Sequence, residues 1–235
     1  MKDISVFFPL RAGSQRSKNK NTRPFLPDGR SLFQLKMAYL QNMENYVQEV
    51  VVSTNDPLVV EQFIPFESKK IRLVQRPEEL CSSSTKVVDL INYVPTVVGC
   101  RNILWLHATA PFFTDQDYLK AIKLFDDQLR DGSADSIMSV NKIQQFIWSS
   151  EKKKVINVNR DLNPWPNTQD LEPLFEINHA FYISTRDNYL KYHDRIGVNP
   201  ALFLSEGEKK IDIDWEEDFV FAQRVAEVYG QNYGW

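Results

Sequence analysis

The chain has 235 residues, of which 43% are hydrophobic, enough to bury one substantial core at the size of a single α/β domain. Its 28 basic and 31 acidic residues give a formal net charge of -3, so any phosphate site must be local. No apolar run reaches the ~18 residues of a spanning helix, no cleavable leader is evident, and the two cysteines lack metal-ligand spacing. We therefore expect one cytoplasmic domain, residues 1–235, with neither nucleic acid nor membrane as a partner.

Short apolar runs alternate with amphipathic stretches through the first half of the chain. This rhythm is typical of βαβ units around a mainly parallel sheet. The predicted elements are strand Ile4 to Pro9, a helix behind the cap Ser31, strand Val50 to Ser53, helix Pro57 to Phe63, strand Ile71 to Val74, helix Val87 to Val98, strand Asn102 to Leu106, helix Asp115 to Leu129 and strand Ser136 to Val140.

The character of the chain changes after the last of these strands. The segment becomes polar and Asn-rich with scattered aromatic residues, and Pro164 and Pro166 exclude a regular helix. We predict an excursion from the sheet at about residues 142–180, whose aromatic side chains line a pocket or a subunit contact. The sheet then resumes with strand Ala180 to Ser184, helix Asp187 to His193, strand Leu202 to Leu204 and helix Phe219 to Tyr229.

The loop after the first strand has the sequence RAGSQRSKNKN and is dense in cations. Ligands of open α/β sheets bind at the carboxyl ends of strands, and Gly13 and Ser14 permit close backbone approach to an anion. The loop therefore suits a polyphosphate, although a solvated basic loop shows the same charges. It matches neither the dinucleotide nor the Walker pattern. The cations are Arg11, Arg16, Lys18 and Lys20.

Two carboxylates near the end of the chain alternate with two isoleucines in the segment 211–214. At the period of a strand, Asp212 and Asp214 would share one face while the isoleucines enter the core. Two oxygen ligands on one face suit Mg²⁺; the alternative is an edge strand with solvated aspartates. Asp218 is expected to interact with the amino end of the last helix.

Together these motifs resemble those of the acylneuraminate cytidylyltransferases, also called CMP-sialic acid synthetases. The resemblance covers nearly the whole chain and depends on the order and spacing of several short motifs. They are Arg11, Gly13, Ser14, Lys20 and Asn21 in the first loop, STN at 53–55, RPEEL at 76–80, ATAP at 108–111, TQDLEP at 168–173, NHAFYI at 178–183 and IDID at 211–214.

The resemblance implies a three-layer Rossmann-like fold with a mainly parallel mixed sheet and a small dimerisation excursion that reaches the partner's active site. It implies a homodimer that uses Mg²⁺ and transfers CMP from CTP to sialic acid or another nonulosonic acid, releasing pyrophosphate. The residues that it assigns are Arg11, Lys20 and Asp214 for catalysis; Arg11, Gly13, Ser14, Lys20, Asn21 and Arg76 for the nucleotide; His107, Thr109, Gln169, Asp170 and Asn178 for the sugar; and Asp212 and Asp214 for the metal.

The chain departs from the family pattern at positions that concern the sugar. His107 stands in place of a glutamine, and Asn167 replaces an arginine that would suit the sugar carboxylate. The identity of the acid therefore stays open, with Arg160 as a substitute cation, and no general base is evident. Two other functions remain. One is a catalytically altered relative that acts as a binding subunit. The other is a metal-dependent glycosyltransferase, a class whose DxD motif is expected after a middle strand and not near the end of the chain.

Overall fold

A seven-stranded sheet forms the centre of the molecule. The computed structural model describes residues 3–13, 16–82 and 84–235, apart from the side chain of Asn232. A separate two-stranded ladder consists of β6 and β7. The strands are β1 (Ile4–Pro9), β2 (Glu49–Thr54), β3 (Ile71–Gln75), β4 (Asn102–Leu106), β5 (Ser136–Ile143), β6 (Trp148–Ser149), β7 (Lys154–Val155), β8 (Leu174–Thr185) and β9 (Pro200–Leu204).

The main sheet has the order β3-β2-β1-β4-β8-β5-β9. Its neighbouring strands pair in parallel except where β8 pairs antiparallel with β4 and β5. Consecutive strands run outward from β1 in one direction through β2 and β3, and β4 lies on the other side of β1. The gap between β1 and β4 is therefore the topological switch point, where open α/β sheets place their ligands.

Helices cover both faces of this sheet, and the residues of β1 show why. Val6 and Phe8 belong to one hydrophobic cluster and Phe7 to the other, because successive strand residues point to opposite faces. The first cluster includes residues of the helices at 32–43, 57–63, 115–131 and 216–229, and the second includes residues of the helices at 87–97 and 186–192. The predicted three-layer, mainly parallel mixed fold is confirmed. The helices are α1 (Leu32–Met43), α2 (Pro57–Phe63), α3 (Val87–Val97), α4 (Asp115–Asp131), α5 (Arg186–Tyr192) and α6 (Glu216–Tyr229).

Local hydrogen bonds fix where the helices begin. Ser31 accepts from the backbone of Gln34, whose side chain accepts in return from the backbone of Ser31, so the predicted cap of α1 is a full capping box. Asp218 lies in the first turn of α6 and accepts from the backbone N–H of Trp215 at 2.7 Å. Its predicted role at the amino end of this helix is confirmed.

The second half departs from the predicted boundaries. The strand predicted as Ala180 to Ser184 is the twelve-residue β8, which pairs Leu174 with Ile143 of β5. The part of the predicted excursion outside the main sheet is therefore residues 144–173, which contain the β6–β7 ladder. Among the residues that the structure describes, no helix has both the length and the apolar character needed to cross a membrane.

Candidate active site

A cleft of about 570 Å³ opens at the switch point between β1 and β4. Its floor comes from residues that follow these strands, Leu10 and Arg11 after β1 and His107 to Thr109 after β4. The remaining lining residues include three cations of the first half of the chain and both aspartates of the segment 211–214. The polar residues around it are Arg11, Arg16, Lys20, Asn21, Arg76, His107, Thr109, His179, Arg195, Asp212 and Asp214.

Hydrogen bonds to β2 and to the segment after it hold the first loop at the mouth of this cleft. Leu10 donates its backbone N–H to the carbonyl of Ser53 at 2.9 Å, and Ala12 donates to the side-chain oxygen of Asn55 at 3.0 Å. Gly13 then adopts a φ of 75°, a left-handed conformation that favours glycine. Ser14, a predicted nucleotide contact, lies outside the described residues. Among the described residues of the loop, Arg11, Arg16, Lys20 and Asn21 line the cleft, whereas Gly13, also a predicted nucleotide contact, does not.

Lys20 connects this loop to the acidic segment. Its Nζ donates to the carbonyl oxygen of Ile213 at 2.5 Å. Burial lowers the pKa of Lys20, while the carboxylates of Asp214 and Asp212 oppose that shift. The lysine is therefore held beside two anions in a partly desolvated site, where its charge acts more strongly than it would in water.

Arg76 forms a second cationic wall and is almost fully buried. Its guanidinium donates to the carbonyl of Ser53 at 2.7 Å, so the STN and RPEEL motifs meet in space. Burial lowers the pKa of Arg76. The carbonyl of Ser53 fixes part of the guanidinium group, so the Arg76 side chain is already ordered where it lines the cleft.

The acidic segment is irregular, so the predicted strand at residues 211–214 is wrong. It makes a single backbone hydrogen bond to the neighbouring segment, from Ile213 N–H to the carbonyl of Thr109 at 2.9 Å. The predicted burial holds in full only for Ile213, because Ile211 is partly buried against the same core, while Asp212 and Asp214 both line the cleft. The segment is therefore held by one backbone hydrogen bond and one buried side chain, where a strand would be held by a ladder of backbone hydrogen bonds.

The two aspartates have different environments. Within the described part of the chain, Oδ1 of Asp212 is buried and has no hydrogen-bond partner. Burial raises the pKa of Asp212 to about 6; the Thr109 side chain opposes the rise and Asp214 adds to it. Asp214 forms a half-exposed ion pair with Arg16 at 2.9 Å. A buried carboxylate oxygen without a partner suits a cation as ligand.

These residues fit the predicted Mg²⁺. Magnesium commonly takes one or two protein carboxylates and completes its octahedral shell with water and substrate phosphates. Asp212 offers an unpartnered oxygen, and Asp214 can exchange a solvent-exposed ion pair of small net stability. Among the described residues no group of three or more metal-ligating side chains converges, so the metal would depend on the triphosphate for its other ligands.

Another part of the cleft is aromatic. His107 stacks on Trp105 with ring centroids 5.9 Å apart, and its Nε2 lies 3.3 Å from Nη1 of Arg195. Burial lowers the pKa of His107 well below its usual range, and the charge of Arg195 adds to this shift. Arginine only donates, so Nε2 accepts and the neutral ring keeps its proton on Nδ1.

His179 enters the cleft because the backbone of β8 is irregular there. Its φ is 57°, and the pairing between β5 and β8 changes register between Met138 and Val140. Its Nδ1 forms a 2.7 Å hydrogen bond with the hydroxyl of Tyr182. A left-handed residue at an irregular point of a strand projects its side chain where a regular strand could not.

Three predicted sugar contacts do not line this cleft. Gln169 and Asp170 lie in a short 3-10 turn of the excursion, where Asp170 accepts from Asn167 at 3.1 Å. Asn178 is buried and donates to Asn141 at 3.0 Å while accepting from the backbone of Ala180. The cleft of one chain therefore brings together Arg11, Lys20, Asn21, Arg76, His107, Thr109, Asp212 and Asp214. A sugar-binding role for the other three stays a prediction.

Arg195 is a cleft residue that the sequence analysis missed. It lies in the loop after α5, with its guanidinium carbon 3.9 Å from the ring centre of Tyr182 and 4.8 Å from that of Trp105. A single arginine in a short loop belongs to no motif, so the sequence carries no signal for its position. The position of its side chain depends on the path of the loop after α5, which hydrogen bonds attach to Asp135 and Ser136.

In this cleft a polar loop after the first strand lies beside a pair of carboxylates at the switch point of the sheet. No family model matches the chain. Curated relatives nevertheless confirm the resemblance drawn from the motifs, because the proteins that the chain matches include N-acylneuraminate cytidylyltransferases. It is 23% identical over 225 residues to an N-acylneuraminate cytidylyltransferase of Streptococcus agalactiae serotype III, covering 94% of this chain but 52% of that protein.

A second relative matches over its full length. The chain is 25% identical to the CMP-N,N'-diacetyllegionaminic acid synthase of Legionella pneumophila, covering 96% of this chain and 97% of the relative. Two solved structures share the fold: a CMP:2-keto-3-deoxy-manno-octonic acid synthetase complexed with CTP and the 4-diphosphocytidyl-2C-methyl-D-erythritol synthase of Anaerococcus prevotii. Their TM-scores are 0.62 and 0.65 at 16% and 15% identity; the alignments cover 97% and 96% of this chain, and 99% and 96% of those structures.

Proposed function

We propose that this protein is a cytidylyltransferase that transfers CMP from CTP to an acidic keto sugar, a sialic acid or another nonulosonic acid, and releases pyrophosphate. The observation that carries the proposal is the two-sided cleft, in which Lys20 of the first loop lies against the segment of Asp212 and Asp214. The relatives named above supply the class of substrate. A triphosphate needs this combination of cations and metal-binding carboxylates.

The chemistry follows from the charges in the cleft. The anomeric hydroxyl oxygen of the acid forms a bond to the α-phosphorus of CTP, the bond to the bridging oxygen breaks, pyrophosphate departs and the hydroxyl proton is released. Arg11 and Lys20 stabilise the charge that grows on the departing group. Arg76 and Asn21 hold the nucleotide, and the reaction requires no covalent intermediate with the enzyme.

Asp212 and Asp214 would hold Mg²⁺, which when bound neutralises phosphate charge and orients the reacting groups. Asp212 contributes an oxygen that forms no hydrogen bond with the described residues. The residues that act on the triphosphate thus come from both ends of the sequence. Removing either side of the cleft should stop the reaction.

We also propose that the protein acts as a homodimer through the excursion. Trp148 and Trp165 expose 58% and 65% of their surfaces, and Leu162 exposes 84%. Several large exposed apolar side chains in one segment favour a protein contact over solvent. A dimer would also explain why Gln169 and Asp170, which are outside the cleft of their own chain, belong to a sugar-binding motif.

The test is pyrophosphate release from CTP and Mg²⁺ with N-acetylneuraminic acid, N,N'-diacetyllegionaminic acid and 2-keto-3-deoxy-manno-octonic acid as acceptors. We expect release with at least one acid, and complete loss in Lys20→Ala and Asp214→Asn. Lys18→Ala is the matched control, because Lys18 lies in the same loop but is exposed and outside the cleft lining. Absence of release with every acid would refute the proposal, and wild-type rates in Lys20→Ala would refute the site.

A further inference from the structure

Arg195 lines the cleft and is surrounded by aromatic side chains that suit a guanidinium. Its positive charge is stacked on Tyr182 at 3.9 Å and on Trp105 at 4.8 Å, measured to the ring centres. Its nitrogens also donate to the hydroxyl of Tyr182 and to Nε2 of His107, both at 3.3 Å. Arginine favours such stacked, planar positions, which restrict the side chain and fix the direction of its remaining donors.

The guanidinium of Arg195 is not part of an ion pair within the described part of the chain. Arg16 and Arg23 of the first loop region are ion-paired with Asp214 and Glu216. Arg195 forms no ion pair with any acidic residue in the described ranges 3–13, 16–82 and 84–235. Its two hydrogen bonds leave donors of its five N–H groups free, and the cleft is the space that it lines. An anion from solution is the partner that this arrangement accepts.

The loop that carries Arg195 is held rigidly to the sheet. Asp135 accepts backbone hydrogen bonds from Val198 at 2.7 Å and from Asn199 at 3.0 Å, and the hydroxyl of Ser136 accepts from Gly197 at 2.8 Å. A Cβ on Gly197 would lie 2.2 Å from Oδ1 of Asp135, so the loop approaches β5 too closely for any side chain at that position. The guanidinium is therefore positioned before a ligand arrives, as binding sites require.

We propose that Arg195 binds the carboxylate of the acidic acceptor sugar and thereby determines that the acceptor is an acid. This inference rests on the proposed function. Under that function the triphosphate would bind beside Arg11 and Lys20, and the acceptor would take the part of the cleft lined by His107 and Arg195. A guanidinium fork matches a carboxylate with two parallel hydrogen bonds. The carboxylate-binding cation then comes from the loop after α5 instead of from position 167.

Arg160 offers a direct comparison. Its guanidinium also lies over an aromatic ring, 5.2 Å from the centre of Trp165, but in the excursion and outside the cleft lining. If the charge for the carboxylate came from the excursion, Arg160→Gln would affect the acid and Arg195→Gln would not. The two variants therefore separate the two possible origins of the charge.

The experiment measures kcat and KM for the acid and for CTP in the wild type, Arg195→Gln, Arg195→Lys and Arg160→Gln. It also uses an acceptor analogue with a hydroxymethyl group in place of the carboxylate. We expect Arg195→Gln to raise the KM for the acid by about 10- to 100-fold, the range of a hydrogen bond to a charged group. The KM for CTP and the rate with the neutral analogue stay at wild-type values, and Arg195→Lys falls between because it keeps the charge without the fork.

Arg224→Gln serves as the control, since Arg224 is an exposed residue of α6 that pairs with Glu227 at 2.9 Å. An unchanged KM for the acid in Arg195→Gln, an equal loss with acid and neutral analogue, or a higher KM for CTP would overturn the inference while leaving the proposed function intact. Wild-type protein that is inactive with CTP and every acid would overturn both. If Arg195→Gln does not fold, Arg195→Lys and the comparison of acid with neutral analogue in the wild type decide the question.

Discussion

The buried lysine of α1 makes the stability of the protein depend on pH in a way that can be measured. Lys36 is fully buried, and its Nζ donates to the carbonyl of Phe113 at 2.6 Å and to the hydroxyl of Tyr118 at 3.0 Å. Burial lowers the pKa of Lys36 from 10.5 to about 7, and the charge of Asp117 only partly opposes the shift. Its protonated form is therefore much less stable in the folded protein than in the unfolded chain.

The direction of the effect follows from proton binding. Between pH 7 and 10.5 the unfolded chain keeps the proton of Lys36 while the folded protein releases it, so the free energy of unfolding rises with pH in this window. From pH 7 to pH 9 the contribution is about 2 kcal/mol, taking 1.36 kcal/mol per pKa unit and partial protonation of the folded protein at pH 7. Below pH 7 both states are increasingly protonated and the slope disappears.

Urea denaturation of the wild type and of Lys36→Met at pH 7, 8 and 9 tests this reasoning. Methionine has a similar length and no charge, so the wild type should gain about 2 kcal/mol relative to the variant over this range. Lys123→Met on the exposed face of α4 should keep the wild-type profile. Parallel profiles for the wild type and Lys36→Met would refute the argument, whatever their absolute difference in stability.

Three further substitutions probe the cleft. His179→Ala should be about 1 kcal/mol less stable than His179→Gly by calorimetry, because both lose the bond to Tyr182 and only alanine strains the φ of 57°; the reverse order would exclude this backbone conformation. Gly197→Ala should raise the KM for the acid and leave that for CTP unchanged, since its Cβ would displace the loop from Asp135; equal changes in both constants would argue against it. Asp212→Asn should lose pyrophosphate release. It should nevertheless melt at a higher temperature at pH 7, because it removes a buried carboxylate whose pKa is raised to about 6. A lower melting temperature would contradict the conclusion that burial of this carboxylate destabilises the folded protein.

The elements with a strong periodic pattern were predictable. Helix α2 and strand β4 have the predicted bounds, because a proline at the first turn marks the former and an uninterrupted apolar run the latter. The position of the first loop was predictable for a related reason: a polar loop after a buried first strand must lie at the carboxyl edge of the sheet. Arg11 and Lys20 of this loop accordingly line the cleft at that edge.

The rest depended on tertiary contacts that have no local signal. The alternation at residues 211–214 resembles a strand, but it reflects one buried isoleucine and one backbone bond to Thr109. The left-handed φ of His179 is uncommon for a residue other than glycine, so its place in the cleft was not foreseeable. Arg195 shows the same limit, since its position follows from the hydrogen bonds that attach its loop to Asp135.

The charges around His107 indicate how the cleft orients its ligands. Burial lowers the pKa of this histidine, and the charges of Arg195, Lys20 and Arg76 add to the shift, so the imidazole is neutral in cationic surroundings. Under the proposed function, the residues around Asp212 and Asp214 would bind the triphosphate with its metal, whereas Arg195 is a guanidinium without a carboxylate partner among the described residues. An acceptor with a carboxylate at one end would then be drawn toward Arg195, which would leave its hydroxyl facing the α-phosphate. A neutral sugar would lack this directing force, and the cleft would bind it without a preferred orientation.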